Sequence, residues 1–256
     1  MASRKLRIQR WDVTTLKPTN TILVLGKRGT GKSVIIHSIM HALQDKLDAA
    51  LAFCPTEGAQ GTFGKFVPAS LIHEEYDGTV LDNVLTTQRQ QWKRGHGSHV
   101  MCILDDCAYD KKTFTSKSLR NLFMNGRHNR VGCILSVQYS LDFPTDLRSN
   151  CDYVIACREN ILSNRERLYK HFFGMFPTLT AFAKAFEACT NNYEVLVLKN
   201  DSQSNTLTDN IFWWKAHTNV PDFRIGGRGM WGLDAHYGVD ETVDKEDNHA
   251  DSGREV

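Results

Sequence analysis

The segment from Gly26 to Ser33 reads GKRGTGKS and has the spacing G-x-x-x-x-G-K-S. It lies between an apolar run, TILVL, and a stretch with helical periodicity, which is the context that a phosphate-binding loop requires. Backbone N–H groups at the start of such a helix can hold a β-phosphate, because the helix N-terminus is electropositive. The residues predicted to bind a nucleotide are Gly26, Gly29, Thr30, Gly31, Lys32, Ser33 and Val34.

Two side chains of this loop have a predicted chemical task. The Lys32 ammonium would neutralise negative charge on the β- and γ-phosphates of ATP. The Ser33 hydroxyl would bind a Mg²⁺ ion that accompanies the nucleotide.

An acidic pair, Asp105 and Asp106, follows a second apolar run, VMCIL. Ligands of a parallel sheet bind at the carboxyl ends of its strands. There Asp105 would hold Mg²⁺, and Asp106 would orient and deprotonate an attacking water. A nucleotide kinase does not need the second acid, because its nucleophile is a phosphate of the acceptor. The pair therefore favours hydrolysis.

A third apolar run, VGCILSV, ends at Gln138. The amide of Gln138 can donate and accept hydrogen bonds at once, which suits contact with the γ-phosphate or with its attacking water. Such a polar residue is expected in ATPases that insert an extra strand between the phosphate loop and the acidic strand.

Arginines crowd the half of the chain after the acidic pair. An arginine from a neighbouring subunit can stabilise charge on the γ-phosphate, and this arrangement requires a ring of subunits. The arginines in question are Arg127, Arg130, Arg148, Arg158, Arg165 and Arg167.

The elements that must position these residues alternate between short apolar strands and amphipathic helices. This alternation predicts an α/β fold with a mostly parallel sheet and helices on both faces. The expected strands are 21–25, 50–54, 99–105, 131–137, 152–157, 193–198 and 211–215. The expected helices are 32–46, 79–93, 116–125, 161–173 and 178–189. The segment from Gly58 to Asp77 reads as a long loop, because glycines and a proline interrupt it.

The amino-acid composition argues against a membrane-spanning or secreted protein. The chain has 256 residues, 41% of them hydrophobic, so it can bury one α/β core. No apolar run approaches the roughly 20 residues that span a bilayer, and the basic N-terminus lacks the apolar stretch of a signal peptide. The seven cysteines show no C-x-x-C pair, which favours a reducing compartment over disulfides or a zinc site.

The charges are unevenly distributed along the chain. The net charge is +2, but residues 239–256 carry seven acids and two bases, so the remainder is 29 bases against 22 acids, or +7. We expect a basic arm over 1–19, a P-loop ATPase domain over 20–220, a glycine-rich segment over 221–238 and an acidic, disordered tail over 239–256. The basic body is compatible with a polyanionic partner.

Together these blocks resemble the DNA-packaging ATPases of large double-stranded DNA viruses, of the poxvirus and giant-virus type, in the HerA/FtsK superfamily. The resemblance covers roughly residues 20–200. It rests on GKRGTGKS, on ILDD and on NGRH followed by a strand that ends at Gln138. It also rests on LRSNCDYVIACRE, which resembles a strand of the superfamily that enters through an Asn or Cys-Asp step and ends in an arginine, here Arg158. One departure is Asp106, because relatives often carry the longer glutamate as the second acid.

The resemblance implies a RecA-like core, ATP and Mg²⁺ as cofactors, and a homo-oligomeric ring around duplex DNA. It implies movement of a viral genome into preformed capsids, with capsid or portal-vertex partners, at assembly sites in the host cytoplasm or in the virion. It also implies Lys32 and Ser33 as phosphate and Mg²⁺ residues, with Asp105 as a second Mg²⁺ ligand. Asp106 becomes the base and Gln138 the γ-phosphate sensor. Arg127 or Arg158 becomes the arginine acting in trans.

Other functions stay open at this point. A viral nucleotide kinase, a helicase that shares the same core, and an assembly factor that binds nucleotide without hydrolysis are the alternatives. Duplex DNA would be held through its phosphates, without base readout. The segments expected to do so are Lys111–Lys112, the Gly61–Lys65 loop and Gln91–His96. The aromatic run Phe212–Trp214 is expected in the core of the domain, with packing at a subunit interface as the alternative.

Overall fold

The computed structural model describes residues 7–107, 111–138 and 143–237, and within them one sheet of nine strands lies between two layers of helices. The strands are β1 (Gln9–Arg10), β2 (Thr21–Leu25), β3 (Ala49–Phe53), β4 (Ile72–His73), β5 (Val100–Leu104), β6 (Val131–Val137), β7 (Tyr153–Ala156), β8 (Glu194–Lys199) and β9 (Ile211–Lys215). The helices are α1 (Lys32–Leu43), α2 (Glu57–Phe63), α3 (Gly78–Lys93), α4 (Lys111–Thr115), α5 (Lys117–Asn125), α6 (Thr145–Arg148), α7 (Leu162–His171), α8 (Leu179–Ala188), α9 (Leu207–Asn210) and α10 (Arg228–Tyr237).

The strand order is β1-β9-β8-β7-β2-β6-β5-β3-β4. All neighbours pair in parallel except β7 with β8 and β8 with β9, which pair antiparallel. The predicted mostly parallel sheet is therefore confirmed. The inserted strand is confirmed as well, because β6 lies between β2, which leads into the phosphate loop, and β5, which leads into the acidic pair.

The central strands are apolar throughout because both of their faces are covered. On β2, Leu23 and Leu25 point into the cluster formed with α3, α5 and α8, whereas Ile22 and Val24 point into the cluster formed with α1 and α2. This alternation is the period of two that a strand imposes on its side chains. Helices on both faces of the sheet follow the prediction.

The register aligns the carboxyl ends of the strands that carry the predicted chemistry. Leu25 pairs with Val137 of β6 on one side and with Ala156 of β7 on the other. Leu104 of β5 pairs with Leu135, two residues before the end of β6. The loops after β2, β5, β6 and β7 therefore all emerge at one edge of the sheet, called the carboxyl edge below.

The expected long loop from Gly58 to Asp77 is wrong. Helix α2 covers Glu57–Phe63, a 3₁₀ turn covers Ala69–Leu71, and β4 adds two residues to the sheet. Helix α2 forms despite its glycines because it buries Ala59 and Phe63 against the α1 side of the core. The Gly61–Lys65 segment is accordingly the end of a helix and the turn after it.

Strand β1, helix α10 and the short helices α4, α6 and α9 also went unrecognised in the sequence. Strand β1 pairs with β9, and Trp11 after it packs against Trp214 and Tyr153. Helix α10 occupies the glycine-rich segment, where Asp234 accepts hydrogen bonds from the backbone N–H groups of Ala69 and Ser70. Burial of Trp214 confirms the core placement of that part of the aromatic run.

The boundaries at residues 19, 220 and 238 stay predictions. The predicted acidic tail, 239–256, lies outside the described residues.

Candidate nucleotide-binding site

The loop between β2 and α1 folds tightly against the neighbouring strands. The Gly26 N–H donates to the Val137 carbonyl at 3.1 Å, and Thr30 Oγ1 donates to the Lys27 carbonyl at 2.7 Å. A Cβ on Gly26 would lie 2.7 Å from Cys157 Cβ, so the contact with the loop after β7 requires glycine. Gly29 and Gly31 adopt φ values of 78° and 90°, which glycine tolerates at little cost.

Helix α1 begins at Lys32, so the loop presents the N-terminus of a twelve-residue helix to the carboxyl edge. Val34, in the first turn, is half-buried and packs against the core on the α1 face of the sheet. Ser33 turns its hydroxyl toward β5 instead. The loop thus lies at the N-terminus of α1, and its nucleotide-binding residues stay a prediction.

Lys32 is 6% exposed, and its Nζ lies 3.3 Å from Oδ1 of Asp106. A buried ammonium needs a counter-charge, because removing it from water is costly. Asp106 supplies that charge here, and a phosphate oxygen at the loop would compete for the same ammonium. The structure thus brings together two residues that lie 74 positions apart in the sequence.

Asp105 is 4% exposed and is held by two hydroxyl groups. Ser136 Oγ donates to its Oδ1, and Ser33 Oγ donates to its Oδ2 at 3.4 Å. Burial raises the pKa of the Asp105 carboxyl from its ordinary value, and the Ser136 hydrogen bond opposes that rise only in part. A cation beside Asp105 would favour the charged form.

Ser136 is a site residue that the sequence reasoning missed. It is fully buried near the end of β6, and besides holding Asp105 it accepts a hydrogen bond from the Asp106 N–H at 3.0 Å. One hydroxyl therefore orients both acids. The available signal was a lone serine inside the otherwise apolar run VGCILSV, since a buried polar side chain requires a partner.

Asp106 has a φ of 54°, in the left-handed region that non-glycine residues seldom occupy. Gln138 Nε2 donates to its Oδ2 at 3.1 Å. Its Oδ1 is buried and has no hydrogen-bond partner, although it lies within ion-pair distance of Lys32. The acid is thus fixed in position with one oxygen left available for a further donor, such as a water.

The oxygen atoms at this edge fit a Mg²⁺ ion. Mg²⁺ prefers hard oxygen ligands and is usually bound by one or two carboxylates together with substrate phosphates and waters. The Ser33 hydroxyl and the Asp105 carboxylate converge. Oδ1 of Asp106 faces the Lys32 ammonium but accepts no hydrogen bond, so it can accept one from a water. Ser33 and Asp105 as the residues that bind Mg²⁺ therefore stay a prediction.

The two candidate arginines lie at opposite edges of the sheet. Arg158 follows β7 beside the phosphate loop, and its Nε donates to Asn160 Oδ1 at 3.1 Å. Arg127 lies in a 3₁₀ turn before β6. The seven residues of β6 separate that turn from the carboxyl edge by roughly 20 Å. Arg127 therefore does not join the site of its own chain.

The fold and the loop at this edge define a P-loop ATPase core of the RecA-like type, with a strand inserted between the phosphate loop and the acidic strand. Solved structures share this fold. The genome packaging NTPase B204 from Sulfolobus turreted icosahedral virus 2, in complex with AMPPCP, superposes with a TM-score of 0.58 at 17% identity, over 79% of this chain and 100% of that chain. The conjugation coupling protein TcpA of pCW3 gives 0.55 at 13% identity, over 78% and 61%.

The chain belongs to the family described as Poxvirus A32 protein, whose family model matches residues 9–206. Protein 088R of Invertebrate iridescent virus 3 is 33% identical over 208 residues, which are 80% of each chain. A protein of Acanthamoeba polyphaga mimivirus is 29% identical over 238 residues, covering 89% of this chain and 83% of that protein. The family is thus one of viral proteins. In the part of the chain that the structure describes, no helix combines the length and apolar character needed to cross a membrane.

Proposed function

We propose that this protein is an ATP-hydrolysing motor that moves viral double-stranded DNA into preformed capsids. The observation that carries the proposal is the convergence of Lys32, Asp105, Asp106 and Gln138 at one edge of an inserted-strand P-loop core. This constellation activates water, so it supports hydrolysis over phosphate transfer to a metabolite. The packaging role is supported by membership of a poxvirus family and by a fold shared with a viral genome packaging NTPase.

ATP would bind with its phosphates against the loop. The ammonium of Lys32 would move its charge from Asp106 to the β- and γ-phosphates, which releases Asp106 as a base. Ser33 and Asp105 would hold Mg²⁺, which supplies neutralisation of phosphate charge when it is bound.

The remaining chemistry lies with Asp106 and Gln138. Asp106 would accept a proton from the attacking water, and Gln138, at 3.1 Å from that carboxylate, would orient the same water or contact the γ-phosphate. Although its side chain is short, Asp106 reaches both the Lys32 ammonium and the Gln138 amide. The Asp for Glu replacement is therefore compatible with the role of base.

A ring of subunits would complete each site. Arg127 is exposed at the edge of the sheet opposite to its own phosphate loop, so its guanidinium can serve a γ-phosphate only in a neighbouring subunit. Arg158, beside its own phosphate loop, would act in cis. A head-to-tail interface of this kind closes into a ring when the rotation between subunits permits it.

The surface that would hold DNA lies on α3, α4, α5 and the turn before β6. Residues 83–104 and 111–131 contain no aspartate or glutamate. They contain nine bases, namely Arg89, Lys93, Arg94, Lys111, Lys112, Lys117, Arg120, Arg127 and Arg130. We call the bases of this layer, apart from Arg127, the basic face. Arg120 in it pairs with Asp146 of α6, and the others carry the surplus of positive charge. Such a surface suits phosphate contacts, which position duplex DNA without reading its sequence.

One contact stiffens the basic face at the Gln91–His96 segment. The Arg130 guanidinium lies over the Trp92 ring, 3.7 Å from its centroid, and it also packs against Gly97. This cation–π contact ties the end of α3 to the turn before β6. Lys93 and Arg94, both exposed, are thereby presented on a fixed support.

Capsid or portal-vertex proteins would anchor the ring, and the place of action would be assembly sites in the host cytoplasm or the virion. They are proposed because a packaging motor has to push against the capsid that it fills.

The test is phosphate release by the purified chain without nucleic acid, with single strands, and with duplex DNA of increasing length across a salt series. A motor gives stimulation that grows with duplex length and weakens with salt, because each phosphate contact releases counterions. The double substitution Lys93→Ala/Arg94→Ala should lower the salt slope by about 2, one for each contact, whereas Lys184→Ala on α8 should not change it.

Three other results would contradict the proposal. Phosphate transfer to a nucleotide would indicate a kinase, and separation of the two strands would indicate a helicase. A chain that binds ATP with Mg²⁺ and releases no phosphate under any of these conditions would be an assembly factor.

A further inference from the structure

A strained aromatic residue lies beside the phosphate loop. Asn192 and Tyr193, just before β8, have φ values of 48° and 62°. Two consecutive non-glycine residues in the left-handed region are unusual, and for a bulky residue such as tyrosine this backbone is unfavourable. Backbone hydrogen bonds hold the turn, from Glu194 N–H to Asn191 and from Ala216 N–H to the Tyr193 carbonyl.

The ring of Tyr193 packs directly against Gly31. A Cβ added to Gly31 would lie 2.7 Å from Cδ1 and 2.9 Å from Cε1 of that ring. The strained turn thus delivers an aromatic side chain to the first turn of α1, where the phosphates would be held. Tyr193 is nevertheless 45% exposed, so much of the residue is open to contact from solvent.

The strand order fixes the direction in which a bound nucleotide would run. Asp106 and Gln138 follow β5 and β6, on one side of β2, so the γ-phosphate would point to that side. The nucleoside must then leave the loop on the other side, toward β7 and β8. Tyr193 lies on that side, because β8 runs antiparallel to β7 and therefore starts at the carboxyl edge.

We infer that Tyr193 stacks on the nucleobase of the bound nucleotide and supplies affinity for a nucleoside triphosphate beyond that of its phosphates. The inference rests on the proposed function. An aromatic ring can stack on any base, because every base has a π-face. We therefore assign Tyr193 to recognition of a nucleoside as such, with little discrimination between adenine and guanine.

The test compares the affinity of the full chain for ATP, GTP and inorganic tripolyphosphate, each with Mg²⁺, by calorimetry. Tyr193→Ala should weaken ATP and GTP by about 10-fold and leave tripolyphosphate unchanged, since a base–aromatic stack is lost and phosphate contacts are kept. Tyr193→Phe keeps the ring and should bind all three as the unaltered chain does. Leu233→Ala, at an exposed position of α10, is the control.

The outcomes separate this inference from the proposed function. If the unaltered chain binds neither ATP nor tripolyphosphate, the proposed function fails. If it binds ATP, but Tyr193→Ala leaves the ratio of the ATP and tripolyphosphate affinities unchanged, only the inference fails. Equal weakening of both ligands would also overturn it, because the ring would then be a mere support for the loop.

A second comparison tests the backbone strain at Tyr193 by thermal unfolding of the ligand-free chain, with ATP affinity as a separate readout. Tyr193→Gly and Tyr193→Ala both remove the ring, but glycine tolerates the left-handed backbone. The glycine variant should therefore unfold at a higher temperature than the alanine variant while binding ATP no better. Equal melting temperatures would show that the turn adopts an unstrained backbone once the ring is removed. The left-handed backbone would then not be what positions the Tyr193 ring beside Gly31.

Discussion

The ammonium of Lys32 lies 3.3 Å from Oδ1 of Asp106, so the two residues with opposite tasks in hydrolysis neutralise each other. One would hold phosphate charge, and the other would take a proton from water. Because each satisfies the other, neither is left as an uncompensated buried charge. A phosphate oxygen can take the place of Asp106 beside Lys32, which couples nucleotide binding to the release of the base.

Lys32→Ala should abolish hydrolysis, measured as phosphate release, because the phosphates lose their buried cation. It should also lower the free energy of unfolding by about 1–2 kcal/mol, because Asp106 Oδ1 loses its counter-charge. Lys27→Ala is the matched control. It removes a cation from the same loop whose partner, Glu159, is 3.9 Å away, and it should retain turnover. Comparable losses in both variants would argue against a specific role for Lys32.

Asp106→Asn should keep nucleotide binding and reduce turnover by about 100-fold or more, the usual effect of removing a general base. Asparagine tolerates a φ of 54° as aspartate does, so the backbone should be kept. The free energy of unfolding should nevertheless fall, because the buried Lys32 ammonium loses its counter-charge. Binding by calorimetry and single-turnover phosphate release separate the two effects. Unchanged turnover would assign the base to another residue.

Ser136→Ala should raise the Mg²⁺ concentration needed for half-maximal hydrolysis, because Asp105 loses the hydroxyl that orients it and Asp106 N–H loses its acceptor. The free energy of unfolding should fall by about 1–3 kcal/mol, the cost of a buried group left without its partner. Ser118→Ala, at a buried serine of α5, should not move the Mg²⁺ dependence. If the two alanine variants behave alike in a Mg²⁺ titration, Ser136 has no role at the metal site.

Asp105 should make the metal-free protein less stable as the pH rises. Burial raises the pKa of Asp105 in the native state above the 3.8 that it has in the unfolded chain. At pH values between the unfolded and the native pKa, the native state therefore binds more protons than the unfolded state. The free energy of unfolding therefore decreases with rising pH through that window. Thermal unfolding with EDTA from about pH 4 to pH 7 should show the unaltered chain losing stability relative to Asp105→Asn, which cannot titrate. Added Mg²⁺ should reverse that loss only when Asp105 is present, and parallel pH profiles would refute the assignment.

The strands that carry the site could be predicted from the sequence because they are buried on both faces. Their apolar runs end where polar residues begin, so the bounds of β2 and β6 were predicted correctly. The phosphate loop was equally accessible, since its spacing is local. Helix α2 was missed because only two of its residues, Ala59 and Phe63, are buried and apolar. Its glycines also hide the helical spacing of apolar residues in the sequence.

The parts of the site that the sequence left out are those built by long-range contacts. Ser136 reads as an ordinary strand residue until β6 is placed beside β5. Tyr193 becomes a neighbour of Gly31 only through the antiparallel return of β8, 162 positions along the chain. The pairing of Lys32 with Asp106 likewise depends on the inserted strand, since Gln138 at its end braces the acid.

A ring of subunits would place Arg127 of one subunit at the phosphate loop of its neighbour. Arg127→Ala should lose hydrolysis, and mixing it with Lys32→Ala should restore part of it, because the Lys32→Ala subunit still carries an intact Arg127 for its neighbour's site. In an equal, random mixture about half of the sites have an intact Lys32, and about half of those have a neighbour with an intact Arg127. About a quarter of the activity of the unaltered chain should therefore return. Arg158 lies beside the phosphate loop of its own subunit, so mixing Arg158→Ala with Lys32→Ala should restore no hydrolysis. If Lys32→Ala rescued Arg158→Ala but not Arg127→Ala, Arg158 would be the arginine that acts in trans. Failure of both mixtures, with subunit association confirmed by light scattering, would exclude an arginine in trans at either position.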